Sequence, residues 1–249
     1  MFDLTNKVVM IFGGTGVLFS NVAISLSDNG AHVIIVGRNV KKSSQLDNLI
    51  KNNKITFIKH DIVDSSIKDL FTFVYDHFTH IDMIVNGAGI NSSKPFLDIT
   101  ESDINDIFQI NFKFVVECCQ LYIEKTLNLN KKGKILNIGS VSALNPLSKV
   151  FIYSASKAAL HNFSKNIARE YGNRGINTNI LVPGFFPAEQ NKKILNQKRQ
   201  ENILNQTPMK RFGEPKDLCG MVNLLVSDQS EFINGAELVI DGGYSVNKI

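Results

Sequence analysis

Short apolar runs rich in β-branched residues alternate along the chain with longer stretches whose apolar positions recur every three or four residues. The runs are Lys7–Phe12, His32–Val36, Ile55–Ile58, Asp82–Val85, Lys134–Ile138, Thr178–Val182 and Glu237–Ile240. Helical spacing marks Val17–Ser27 and Ile67–His77, and the longest such stretches run from Glu101 to about Leu127 and from about Val150 to Tyr171. Unbroken apolar runs are what strands show when both of their faces are covered. Their alternation with helices is the mark of a parallel sheet built from βαβ units. Right-handed crossovers then put helices on both faces. The pattern predicts a single α/β domain over residues 1–249, a doubly wound, Rossmann-type parallel sheet of about seven strands.

One irregular insertion breaks the rhythm, between Pro183 and about Lys210. It opens with Gly184-Phe185-Phe186-Pro187 and continues into a polar, helical piece. A long segment beyond a strand's carboxyl end is where such folds keep lids over ligands, so residues 184–210 are expected to cover a substrate; a plain surface helix is the other reading.

Composition narrows the class. The chain has 249 residues, 43% of them hydrophobic and 20% charged, which disfavours disorder, collagen and coiled coil. No apolar run approaches the roughly 18–20 residues that cross a bilayer, so no membrane association is expected. Acidic Asp3 before the short Val8–Phe12 run does not read as a secretory signal. Cys118 and Cys119 are adjacent and Cys219 is distant, which makes neither a disulfide framework nor a zinc set; a reducing cytoplasm is the expected compartment. The net charge of +4 is scattered over separate lysine pairs such as Lys41-Lys42, Lys131-Lys132 and Lys192-Lys193, so nucleic acid is not the expected partner.

The candidate chemistry begins where the first strand runs into Gly13-Gly14-Thr15-Gly16-Val17-Leu18 and then a helix. Glycines at a strand-to-helix turn let backbone approach a phosphate, and the helix N-terminus supplies unpaired N–H groups with positive partial charge. A tight turn without a ligand is the plainer alternative. The second strand ends at Val36-Gly37-Arg38-Asn39, with no carboxylate to accept from a ribose diol. Arg38 instead offers a forked cation suited to a 2′-phosphate, so NADP is favoured over NAD as cofactor. Asp61, with Ile62 beside it, could accept from an adenine amino group or could simply cap a helix. Asn86-Gly87-Ala88-Gly89 would let a flat nucleotide lie against backbone.

Ser140, Tyr153 and Lys157 form the most informative set. Tyr153 and Lys157 are one helical turn apart and share a face. A phenol near pKa 10 is a poor acid at neutral pH, and a neighbouring ammonium lowers that value. A serine hydroxyl can then hold a substrate oxygen as charge develops. Read alone, Tyr-x-x-x-Lys is also an ordinary amphipathic pattern. Asn111 could join the set if its helix is locally distorted, or could be a core amide bonded to backbone. His77 and His80 read as a surface pair, and His161 has no obvious partner; no metal site is expected.

Together these residues resemble the short-chain dehydrogenase/reductase family over essentially the whole chain. The Gly turn, Asn86-Gly87-Ala88-Gly89, Asn111, Ser140, Tyr153-Ser154-Ala155-Ser156-Lys157, Pro183-Gly184 and Asp241-Gly242-Gly243 fall in that family's order. The resemblance implies Tyr153 as proton donor, Lys157 on the nicotinamide ribose, Ser140 orienting the carbonyl, and Asn111 behind a proton-relay water. It implies Pro183, Gly184 and Phe186 beside the cofactor, and a homodimer or homotetramer built on the two long helices. Within the family the chain is most similar to the D-mannonate oxidoreductase, or fructuronate reductase, branch. The similar stretches include Pro183-Gly184-Phe185-Phe186 with Glu189-Gln190-Asn191, and Thr207–Pro215. That similarity implies a small polar substrate, a sugar acid or polyol, with Glu189, Gln190 and Asn191 bonding its hydroxyls. A 3-oxoacyl-carrier reductase and a non-catalytic dinucleotide-binding protein are the alternatives. Three positions depart from the family: Phe12 for a Thr, Phe19 for a close-approach Gly, and Ala188 for a Thr. A ring at position 19 must either displace a dinucleotide or turn into the core.

Overall fold

The computed structural model describes residues 2–39, 44–187 and 197–246. Seven parallel strands form one sheet in the order β3-β2-β1-β4-β5-β6-β7. They are β1 (Val8–Phe12), β2 (His32–Gly37), β3 (Ile55–Lys59), β4 (Met83–Asn86), β5 (Gly133–Ile138), β6 (Ile176–Pro183) and β7 (Glu237–Ile240). The expected doubly wound α/β domain is what is found, with strand ends shifted by a residue or two.

Alternation along β1 explains the two layers. Val9 and Ile11 point to one face, Met10 and Phe12 to the other. The first face is covered by α1 (Val17–Asp28), α2 (Ser44–Lys51) and a late helix, α8 (Lys216–Val226), through Val22, Leu26, Leu46, Leu218 and Val222. The second is covered by α3 (Ile67–His77), α5 (Phe114–Asn128) and α6 (Phe151–Tyr171), through Phe71, Val74, Val115, Tyr122 and Leu160. Among the described residues no helix is long and apolar enough to cross a membrane.

The helix expected over 101–127 is one continuous path with a fault in it. It starts as α4 (Glu101–Phe108), behind a capping box in which Thr100 and Asp103 satisfy each other's backbone N–H. Residues Gln109–Lys113 then form a π-turn before α5 resumes. Such turns insert a residue and are frequent at functional sites. Asn111 sits on this one. In the insertion, the structure shows α7 (Gln197–Gln206), the polar helix expected there; residues 188–196 lie outside the described residues.

Strand order reverses between β1 and β4, the point at which β2 lies to one side and β5 to the other. A crevice opens beyond the carboxyl ends of the strands at such a switch point, and ligands bind there.

Candidate active site

A cavity of about 590 Å3 occupies that crevice. Arg38 and Asp61 stand at its β2–β3 end, the Gly13–Leu18 turn and Gly87–Asn91 at its middle, and Ser140, Tyr153, Lys157, Pro183–Phe186 and Arg199 at the other end. Three interstrand spacings separate β2 from β5, roughly 14 Å, which is a span for an extended ligand.

The middle is shaped by what it lacks. Gly13 has φ +75, and a Cβ there would meet the Ala88 backbone at 2.9 Å, so the turn closes only with glycine. No side chain caps the start of α1 and no acid occupies its first turn, which leaves the helix N–H groups for an anion. Thr15 packs against Gly37, where a Cβ would come within 2.6 Å of its hydroxyl. A diphosphate cradle of this build fits the residues present.

The two aromatic departures resolve toward the core. Phe12 is fully buried against Phe114 (ring centroids 5.2 Å apart) and Phe71. Phe19 is 4% exposed and joins the α1 core, although its ring also forms cavity wall. Room for it comes from Gly87, where a Cβ would stand 2.9 Å from the ring. The groove is walled by that ring and stays open.

At the catalytic end, Ser140 leaves β5 with extended backbone, φ −163. Its Oγ accepts from the Ser142 hydroxyl at 3.0 Å and the Ser142 N–H at 3.2 Å. Tyr153 and Lys157 project from the first turns of α6, with the ammonium 5.8 Å from the phenol ring centroid. Lys157 Nζ donates to the Ile138 carbonyl at 2.7 Å. Burial pulls the Lys157 ammonium down to about 8. Burial also holds the Tyr153 phenol above its ordinary value, against the downward pull of the Ser140 hydroxyl. The expectation of a lowered phenol is therefore not met in the protein alone: the ammonium faces the ring and bonds a carbonyl instead of the phenolic oxygen.

Asn111 is wholly buried and does not line the cavity. Its Oδ1 accepts from Ile90 N–H and its Nδ2 donates to Ile90 O, both at 2.9 Å, with a further bond to Ser156 Oγ. A Cβ on Gly89 would lie 3.2 Å from Asn111 Oδ1 and 3.7 Å from Lys157 Nζ, so both side chains meet at that glycine. Asn86, expected beside the nucleotide, does not line the cavity. It is buried away from the cavity and donates to Asn137 Oδ1 at 2.7 Å, while Asn137 in turn donates to Ser164 Oγ at 2.8 Å. An amide at the end of β4 finds its partner on β5 because parallel register places them side by side. Asp61 both lines the cavity and accepts from Val63 N–H at 3.0 Å, so its turn-forming and cavity-facing readings coexist.

Of the residues expected at the cofactor, Gly13, Thr15, Gly16, Val17, Leu18, Arg38, Ile62, Gly87, Ala88, Pro183, Gly184 and Phe186 line the cavity. Glu189, Gln190 and Asn191, and with them Ala188, lie outside the described residues. His161 is a residue that sequence reasoning missed. It is 5% exposed, its Nε2 accepts from Ser140 N–H at 3.4 Å, and its Nδ1 faces Glu237 Oε1 at 3.2 Å. Since Ser140 N–H can only donate, Nε2 carries the lone pair and Nδ1 the proton given to Glu237. Glu237 is also paired with Lys165. Among the described residues no three His, Cys, Asp or Glu side chains converge as a metal-ligand set.

Comparison with known proteins agrees with this arrangement. Residues 20–245 match the family described as enoyl-(acyl carrier protein) reductase. The 3-oxoacyl-[acyl-carrier-protein] reductase FabG of Rickettsia felis is 31% identical over 243 residues, covering 98% of each chain. A gluconate 5-dehydrogenase from Burkholderia cenocepacia, solved with NADP and tartrate, is 25% identical with a TM-score of 0.90 over 97% of this chain and 96% of that one. A Haemophilus influenzae structure provisionally named D-mannonate oxidoreductase, with bound NAD, is 28% identical with a TM-score of 0.87 over 99% and 98%. The chain belongs to the short-chain dehydrogenase/reductase family. It is a dehydrogenase/reductase, a class acting on CH–OH or carbonyl groups; the sugar-acid branch and the acyl-carrier branch both stand among its relatives.

Proposed function

We propose that the protein is an NAD(P)-dependent oxidoreductase, with NADPH the favoured cofactor, that interconverts a ketone and a secondary alcohol on a small polar substrate of the sugar-acid or polyol kind. The observation that carries this reading is the meeting of buried Ser140 and Lys157 with partly exposed Tyr153 at one end of a cavity whose middle is a glycine-built anion cradle. When bound, the nicotinamide supplies or accepts the hydride.

The chain's own residues do the rest. Ser140, with its Oγ already held by Ser142, offers its hydroxyl proton to the substrate oxygen and fixes it beside Tyr153. The Tyr153 phenol gives up its proton to that oxygen in reduction and takes it back in oxidation. Lys157, ammonium below about pH 8, supplies the nearby positive charge that the developing phenolate needs. Arg38 at the far end offers its guanidinium to a 2′-phosphate, and Val17 and Leu18 N–H groups at the start of α1 receive the diphosphate. Asn111 acts through Ile90, fixing the loop that faces Lys157.

A second reading, a 3-oxoacyl-carrier reductase, draws on Val141, Leu147, Val150 and Phe185, which give the catalytic end an apolar wall, and on the 31% identical FabG relative. Titration with NADPH and NADH followed by a carbonyl screen at the nicotinamide absorbance band separates the readings. Turnover of keto-aldonates, hexuronates or polyols supports the first; turnover of oxoacyl thioesters alone replaces it with the second. Tight nucleotide binding with no turnover of any carbonyl would defeat both. On the same reading the protein works as a homodimer or homotetramer in the cytoplasm.

A further inference from the structure

Ser140 caps the short 3₁₀ turn Val141–Ala143 that follows β5. A serine in that place offers its oxygen to the backbone N–H two residues on, and here Ser140 Oγ accepts from Ser142 N–H at 3.2 Å. The side chain of the same residue comes back to the same atom, with Ser142 Oγ donating to Ser140 Oγ at 3.0 Å. Ser142 is 4% exposed. Among the described residues its hydroxyl has no other acceptor, so its proton goes to Ser140.

A hydroxyl oxygen has two lone pairs and one proton. Ser142 fills both lone pairs, so Ser140 can act on the cavity only as a donor. Its neighbour there is the Tyr153 phenol, and the Ser140 hydroxyl is what pulls the phenol's value down against burial. The phenol has an opposite option, since its own O–H could donate to a serine oxygen with an open lone pair. That arrangement would stabilise the neutral phenol and aim its proton away from the substrate. Two donors from one residue close that option. The charged groups at this end, Lys157 on α6 and Arg199 on α7, bond the Ile138 and Ser148 carbonyls. His161, behind Ser140, accepts from its N–H. None of these bonds involves Ser140 Oγ, so the direction of that hydroxyl is set by Ser142.

We propose that Ser142 is a positioning residue for the proton donor. By occupying both lone pairs of Ser140 Oγ, it makes Ser140 a one-way donor, to the Tyr153 phenol in the free protein and to the substrate oxygen in the complex. The proposal rests on the functional reading above for the substrate oxygen, and on the hydrogen bonds alone for the phenol. Ser142 itself does not line the cavity, so it acts only through Ser140. In reduction the Tyr153 proton is kept for the substrate oxygen. In oxidation the phenolate receives the alcohol proton while Ser140 goes on donating to the same oxygen.

The test uses the full chain and needs no substrate. Ultraviolet difference titration against Tyr153→Phe, repeated in each Ser142 background, isolates the Tyr153 phenol among the chain's five tyrosines. Ser142→Ala keeps the N–H and opens one lone pair, so the phenol's midpoint should rise by about half to one pH unit, the size of one hydrogen bond. Ser142→Thr restores the hydroxyl and should return the midpoint to within about two tenths of the wild type. Ser142→Cys, a weak donor of the same shape, should fall between, and it carries the comparison if Ser142→Ala does not fold. An unchanged or lowered midpoint in Ser142→Ala would overturn the proposal. So would Ser142→Thr titrating like Ser142→Ala, which would assign the effect to packing of the turn. If the midpoints move as expected and the carbonyl screen finds no turnover, the hold of Ser142 on the phenol stands and the oxidoreductase reading falls, so the two fail separately.

Discussion

The two ends of the cleft are held by different physics. At the nucleotide end, shape is set by exclusion: Gly13 closes against Ala88, Gly37 makes room for Thr15, and Gly87 makes room for Phe19. Among the described residues those three contacts involve no buried side-chain polar network, so an apolar ring such as Phe19 is absorbed by turning into the core. At the catalytic end, position is set by directed bonds among buried polar groups. Ser142 holds Ser140 Oγ, His161 holds Ser140 N–H, Ile138 holds Lys157, and Asn111 holds Ile90. Buried donors and acceptors cost free energy when left unpaired, so this wall tolerates far less. Substitutions should be tolerated best where packing can compensate, as the buried rings of Phe12 and Phe19 illustrate.

Breaking the catalytic wall should give the largest effect. Tyr153→Phe removes the proton donor and nothing else of volume, so turnover should fall by about 10²–10⁴ while NADPH affinity stays within about twofold. Steady-state rates with fluorescence titration check both halves, and retained turnover would remove Tyr153 from its role. Next in size is the far end. Arg38→Ala should weaken NADPH by about tenfold or more and NADH hardly at all, since only the former brings a phosphate to the guanidinium. Equal losses for the two nucleotides would defeat that assignment.

What the sequence disclosed follows the same division. The strands were legible because β-branched runs have one interpretation when both faces are covered, and Ile67–His77 matched α3 to the residue. Ser140, Tyr153 and Lys157 were legible because a strand end and one helical turn are local spacings. The π-turn at Gln109–Lys113 left no mark in the apolar pattern, which runs through it without a break. The bond Asn86 makes to Asn137 is not legible in the sequence, because its partner lies 51 residues away and meets it only through sheet register. His161 looked partnerless for the same reason, with Glu237 76 residues distant on β7. Arg199 depended on the path of the insertion, which no periodicity fixes.

Lys157 offers a measurement of how costly the wall is. Its value falls from 10.5 to about 8 on folding, because burial disfavours the ammonium. Between those two values the unfolded chain holds a proton that the folded chain has shed, so stability rises with pH across that window. Below pH 8 the full burial cost is present. Relative to Lys157→Met, which has no proton to lose, the wild type should gain at most about 2 kcal/mol between pH 8 and pH 9.5. Denaturant melts of both proteins at the two pH values give the number, and parallel curves would mean that the ammonium is not desolvated.

The smallest effect is the most discriminating. His161 must be neutral to accept from Ser140 N–H. Burial holds its value below the ordinary range, with Lys157 and Lys165 adding to that and Glu237 opposing it. As pH falls through that lowered value, Nε2 gains a proton that faces Ser140 N–H, and the serine loses its fixed place. The wild-type kcat should therefore decline on the acid side, below about pH 6.5. His161→Gln offers an acceptor that does not titrate there. It should cost a few-fold in kcat at neutral pH and flatten the acid limb, with KM for NADPH unchanged. Were the acid limb identical in both proteins, the histidine would be packing behind Ser140 with no hold on it, and the contrast between the two ends of the cleft would rest on Ser142, Ile138 and Asn111 alone.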